Sequence, residues 1–124
     1  MADRRLQDRR ILIVEDEYFL ATELEQELTE AGAIVLGPAA SVRNALALIE
    51  ENDALDGAML DVNLGGELVF PVADRLMAMG VPFALTTGYK EQDILARYAH
   101  APRVGKPVEP RAVADVLVRM LEAG

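Results

Sequence analysis

Short apolar runs bounded by turn residues alternate along this chain with stretches in which apolar residues recur every three or four positions. The first pattern predicts buried strands and the second amphipathic helices. The runs are Ile11-Leu12-Ile13-Val14, Ile34-Val35-Leu36, Gly57 to Leu60, Pro82-Phe83-Ala84-Leu85 and the brief Arg103-Val104-Gly105. Leu20, Leu24, Leu28 and Ala31 mark a first helix stopped by Gly32. Val42, Ala45, Leu46 and Ile49 mark a second, which Ser41 is suited to cap. Leu68, Val72, Leu76 and Met79 mark a third, with Pro71 confined to its first turn and Gly80 ending it, while Gly65-Gly66 reads as a loop. Ile94, Leu95 and Tyr98 mark a weaker, shorter helix over Glu91 to Ala99. The last helix starts at Pro110 and carries Val113, Val116, Leu117 and Met120 on one face. Strand and helix alternate five times with short connections. That pattern predicts an α/β fold, a doubly wound five-stranded parallel sheet with helices on both faces.

Composition narrows the class without naming the chemistry. The 124 residues, 52% apolar and 27% charged, fit one globular domain with a proper core. Residues 1–9, with Arg4, Arg5 and Arg9, read as a solvated lead-in, and residues 10–124 as the domain, without repeat or linker. No apolar run approaches the roughly 20 residues that span a bilayer. The first residues lack a signal-peptide pattern. Zero cysteines exclude disulfides and thiol chemistry and agree with a reducing compartment, so the expected location is the cytoplasm. A formal charge of −9 argues against broad nucleic-acid binding, which depends on neutralising phosphates.

In an open α/β sheet, ligands bind beyond the carboxyl ends of the strands. Under the predicted fold, strands one, three, four and five deliver Glu15 and Asp16, Asp61, Thr87 and Lys106 to that edge. Acidic groups brought together repel unless a cation neutralises them. Hard oxygen ligands without cysteine or histidine suit Mg²⁺, and the Asn63 backbone carbonyl adds a further candidate ligand. Lys106 supplies a mobile positive charge and Thr87 a hydroxyl donor. The set describes a site for an anion held on a metal, with Asp61 able to accept a phosphoryl group as an aspartyl-phosphate.

Glu15-Asp16 after Ile-Leu-Ile-Val, Asp61 after Ala-Met-Leu, Thr87 in Leu-Thr-Thr-Gly-Tyr and the Lys106-Pro107 dipeptide stand in order, separated by strand–helix units. In these residues the chain resembles the receiver domains of two-component response regulators, from about Arg10 to Ala123. The resemblance implies a flavodoxin-like fold and phosphoryl transfer to Asp61 from a histidine kinase or a histidine phosphotransfer protein. It implies Mg²⁺ arranged by Glu15, Asp16, Asp61 and the Asn63 carbonyl, with Thr87 and Lys106 sensing the phosphoryl oxygens. It further implies a stand-alone receiver, monomeric or weakly dimeric. Its switched surface lies near the fourth helix, fifth strand and last helix and meets an unidentified protein partner. The family often places an aromatic residue three positions before the lysine, where this chain has Arg103. Tyr89, two residues past Thr87, is the candidate switch aromatic.

Blander readings stand beside these. Asp61 fits a turn or cap, Glu15 and Asp16 fit a helix N-terminus, and Glu17 reads as first-turn decoration. Thr86 competes with Thr87 for one role, and the Thr-Gly-Tyr register favours Thr87. Arg103 reads as a solvated edge residue, and His100, the lone histidine, as non-catalytic. The chain reads as a non-enzyme. The rival enzyme reading is a Mg²⁺-dependent phosphohydrolase with Asp61 as nucleophile. Asn63 stands where such an enzyme wants an acid–base aspartate, and an amide transfers no proton at neutral pH. A degenerate, never-phosphorylated scaffold is the third reading, and the intact residue set opposes it.

Overall fold

The inner strands of the main sheet are buried on both faces, which is why their runs are continuously apolar instead of alternating. The computed structural model describes residues 4–52, 54–88 and 96–123. In chain order these form β1 (Arg10–Val14), α1 (Tyr18–Glu30), β2 (Ile34–Ala39), α2 (Val42–Glu51) and β3 (Gly57–Asp61). A short hairpin follows, β4 (Asn63–Leu64) and β5 (Glu67–Leu68), and then α3 (Phe70–Met79) and β6 (Phe83–Thr87). A 3-10 turn (Ala96–Tyr98), β7 (Arg103–Gly105) and α4 (Pro110–Ala123) complete it. The five parallel strands run in the order β2-β1-β3-β6-β7. The predicted α/β class, strand order of appearance and two-sided helical cover are those observed.

Two cores result from the two faces. Leu12, Val14, Leu60 and Leu85 pack with α2, α3 and Tyr98. Ile11, Ile13, Met59, Ala84 and Val104 pack with α1 and α4. Because the chain winds from β1 out to β2 and then back to β3, the order reverses between β1 and β3. The crevice at that reversal is where such folds hold ligands.

The structure adds to or departs from the sequence reading in five places. The Gly65-Gly66 segment is the turn of the β4–β5 hairpin and not an open loop, with both glycines at positive φ (64° and 101°) as a two-residue turn of this hand requires. This hairpin occupies Leu68, so α3 begins at Phe70 and keeps Pro71 in its first turn. Strand β2 continues through Gly37-Pro38 to Ala39, as an edge strand can, since a proline there forfeits no inner ladder bond. Residues 4–9 are exposed except at Leu6, which ties the segment to the domain. Leu6 is fully buried, its amide donates to the Ala31 carbonyl at 2.9 Å, and Arg5 pairs with Asp115 of α4 at 2.9 Å. A single apolar residue in a charged stretch had no periodicity to reveal it. Of the expected helix over Glu91 to Ala99, the described part is the 3-10 turn, and residues 91–95 lie outside the described residues.

Tyr98 shows what anchors that turn. Its ring stacks on Phe70 (centroids 5.0 Å apart) and meets Phe83 edge-on. Its hydroxyl donates to Asp74, which also takes two bonds from Arg97 at 3.2 and 3.1 Å. Burial, followed by the Asp74 bond, raises the phenol above its ordinary value.

Candidate functional site

Strand register alone delivers the central carboxylates. Val14 pairs with Leu60, so the next residues, Glu15 and Asp61, leave adjacent strands at the same level. Asp61 pairs on its other side with Thr86. Asp61 and Glu15 are almost wholly buried (2% and 3% exposed), whereas Asp16 is exposed. One carboxylate oxygen from each of Glu15, Asp16 and Asp61 lies within 4.8 Å of the others.

The acidic cluster is held by specific donors. Lys106 Nζ reaches Asp61 Oδ1 at 2.9 Å, and the Asn63 amide donates to the same oxygen at 3.2 Å. Glu15 Oε2 accepts from the Glu17 amide at 3.0 Å, while Glu15 Oε1 is buried without a hydrogen-bond partner among the described residues. Burial raises the Glu15 carboxyl from 4.5 to about 7, and the neighbouring Asp61 and Asp16 charges push in the same direction. Glu17 does more than decorate the first turn: its carboxylate caps α1 by accepting from the Phe19 and Leu20 amides at 3.2 and 2.7 Å. On the hairpin, Asn63 Oδ1 accepts from the Gly66 amide at 2.5 Å. Gly65 passes so close to Asp16 that a Cβ there would stand 3.2 Å from Asp16 Oδ2. Glu67 Oε1 accepts from the Val42 amide at 3.0 Å, which ties the hairpin to the start of α2.

Glu15, Asp16, Asp61, Asn63 and Lys106 all line one cavity of about 670 Å³. The donor set fits a hard divalent cation. It is all oxygen, it brings two buried carboxylates and one exposed one together, and Glu15 Oε1 has no hydrogen-bond partner among the described residues. Asn63 stands at a non-hydrogen-bonded position of the hairpin, since the neighbouring Val69 amide donates to Val62 O, so its carbonyl is not used by the β4–β5 ladder.

No family model matches the chain. SdrG from Sphingomonas melonis Fr1, solved in solution, is 37% identical over 92% of this chain and 97% of its own, with a TM-score of 0.71. A candidate response regulator from Chloroflexus aurantiacus J-10-fl is 29% identical over 94% of this chain and 99% of its own, with a TM-score of 0.76. This chain belongs to the response regulator receiver family. The transcriptional regulatory protein PdtaR of Mycobacterium tuberculosis is 26% identical over 113 residues, 88% of this chain but 53% of PdtaR. The receiver thus spans about half the length of the curated relatives it matches.

Five of the expected site residues meet in the receiver cavity. Thr87 stands at the end of β6 in register with Gly105, half-buried, and its carbonyl accepts from the Lys106 amide at 3.0 Å. Among the described residues Thr87 is not one of those lining the cavity. Tyr89, the candidate switch residue, lies outside the described residues. Arg103 is exposed on the edge strand as expected, and His100 is exposed near the Phe83 ring. The sequence reading passed over Gly65, which meets Asp16, and Glu67, which joins the hairpin to α2. The Gly-Gly pair was visible, but only the hairpin register shows which carboxylate it admits. No helix among the described residues is long and apolar enough to cross a membrane.

Proposed function

We propose that the receiver accepts a phosphoryl group on Asp61 from a phosphohistidine of a histidine kinase or a histidine phosphotransfer protein, and that it signals through protein contacts without turnover of its own. The single observation that carries this reading is a buried Asp61 carboxylate held at 2.9 Å by Lys106, with two further acidic side chains beside it. Glu15, Asp16, Asp61 and the Asn63 carbonyl would hold Mg²⁺. When bound, the dication neutralises the crowded carboxylates and the charge on the transferred oxygens.

The chain's own residues do the rest. Lys106 and the Asn63 amide orient the Asp61 carboxylate by holding Oδ1, and burial strips it of competing water. An Asp61 oxygen forms the new bond to phosphorus as the phosphorus–nitrogen bond to the donor imidazole breaks. The electron pair remains on that nitrogen, which takes a proton from solvent. The Lys106 ammonium then faces the added negative charge, with Thr87 at the end of the neighbouring strand. A charge-assisted hydrogen bond is worth roughly 1.5–3 kcal/mol, enough to bias two conformations a few kcal/mol apart. The face that responds is the segment after Thr87 with β7 and α4. The downstream partner is a protein, and the working compartment is the cytoplasm.

The test is intact mass after incubation with acetyl phosphate and Mg²⁺. Wild type gains the mass of one phosphoryl group and Asp61→Asn gains none. Steady release of phosphate without a phosphoprotein would instead establish the hydrolase.

A further inference from the structure

We propose that Thr86, which the receiver reading leaves without a role, is a positioning residue that acts through the Asp61–Lys106 pair. The inference rests on the phospho-accepting reading and adds a group beneath the same site. Register places Thr86 directly beside Asp61 on one flank and beside Val104 on the other. Met59, Ala84 and Val104 all pack in the core formed with α1 and α4. Side chains alternate across a strand, so Asp61 and Thr86, each two residues on, face that same side.

Sheet order adds the decisive constraint. Strand β6 lies between β3 and β7, and neighbouring strands stand about 4.8 Å apart. Lys106 follows β7, so its side chain passes over β6 to meet Asp61 Oδ1 at 2.9 Å. Thr86 occupies the level of β6 under that arm. It is 1% exposed, yet its Oγ1 has no hydrogen-bond partner among the described residues.

A buried hydroxyl without a partner is uncommon, and an apolar group of the same shape would suit that place better. A hydroxyl rotates freely, accepting from an ammonium or donating to an anionic oxygen as its neighbours require. In the unmodified chain the Lys106–Asp61 pair is closed and Thr86 has nothing to add. Once Asp61 carries a phosphoryl group, the ammonium is drawn off Oδ1 toward the new oxygens. Thr86 Oγ1 then makes the bond it lacks in the unmodified state. The hydroxyl is thus unsatisfied in one state and used in the other, which favours the loaded one.

Thr86→Val keeps the branched shape and removes only the hydroxyl. The expected result has opposite signs in two measurements. Without Mg²⁺ the Val variant melts at a higher Tm than wild type. With acetyl phosphate and Mg²⁺, labelling of Asp61 slows about tenfold, the factor one hydrogen bond to a charged group supplies. Thr86→Ser, which retains the hydroxyl, labels near the wild-type rate. Labelling of Thr86→Val at the wild-type rate overturns the inference, and so does a parallel loss of stability and labelling, since a merely structural residue would give that. Wild type in the same assay separates the two claims. If it gains no mass, the phospho-accepting reading falls and takes the inference with it, whereas a labelled wild type with an indifferent Val variant sinks the inference alone.

Discussion

Lys106 offsets charge at the site, because Asp61 and Glu15 are buried side by side and its ammonium meets Asp61 at 2.9 Å. Removing one partner of a buried pair leaves an uncompensated charge. The Lys106 side chain is 35% exposed, so water screens part of that cost. Lys106→Met is therefore expected to lower unfolding stability by about 1–2 kcal/mol, read as the urea midpoint in metal-free buffer. An unchanged midpoint would show that the pair contributes nothing before loading. Tyr98 gives a pH prediction of definite sign. Its phenol, raised above 10.0, keeps its proton in the folded chain at pH values where the unfolded chain has released it. The folded state then binds more protons, so stability is full below about pH 10 and falls as pH rises beyond it. Tyr98→Phe has no such proton. The variant gives up roughly 1 kcal/mol near neutrality with the lost hydrogen bond. It should regain ground on wild type between about pH 9 and 11. Guanidinium unfolding of both proteins across that range decides the matter, and a constant gap would mean that the phenol does not titrate with unfolding.

The β4–β5 hairpin is the element that converts a strand end into a site, since it carries Asn63, presses Gly65 against Asp16 and caps α2 through Glu67. Its two glycines make a paired test. Gly66 has φ 101° and open space around a Cβ, so Gly66→Ala strains only the backbone, by about 1–2 kcal/mol. Gly65→Ala adds a methyl 3.2 Å from Asp16 Oδ2 and must also shift that carboxylate. Both variants should lose similar stability in thermal melts, while only Gly65→Ala weakens Mg²⁺ binding by titration. Equal Mg²⁺ affinities would show that Asp16 has room to move. The hairpin also marks the limit of what the sequence conveys. Four apolar residues in a row announce β1, and the acidic pair after it needs no long-range knowledge to be suspected. Two-residue strands have no periodicity, so Asn63–Leu64 and Glu67–Leu68 were invisible and only their glycine turn stood out. Leu6 went unseen because one buried residue among arginines makes no pattern. The Thr-Gly-Tyr register points to Thr87, and it does not reveal that Thr86 is the one buried and paired with Asp61.

The molecule is asymmetric about its site, and the asymmetry sets where a signal can go. Strands β1 and β3 are flanked on both sides and buried on both faces, so a charge change at Asp61 has little freedom to move them. Strand β7 is three residues long, paired among the described residues only to β6, and followed at once by Lys106. Helix α4 begins four residues after Lys106 and packs through Val113, Ala114 and Leu117 on the core shared with α1. Strand β7 is therefore the shorter of the two edges, and Lys106 is attached to it. On the other side, β2 is longer, and the residue-4–9 segment braces its start through the Ile34 amide bonded to Arg9 at 2.7 Å. Labelling Asp61 should therefore perturb amide resonances of residues 103–118 well beyond the cavity and leave β2 and α2 nearly unchanged, apart from Val42, which Glu67 ties to the hairpin. Comparison of amide spectra before and after acetyl phosphate and Mg²⁺ reads this directly. The Lys106→Met variant is the control that isolates the route: its distant shifts should shrink even where Asp61 is labelled. Shifts of equal size in β2 and β7, or distant shifts that persist without the lysine, would show that the signal leaves the site by another path.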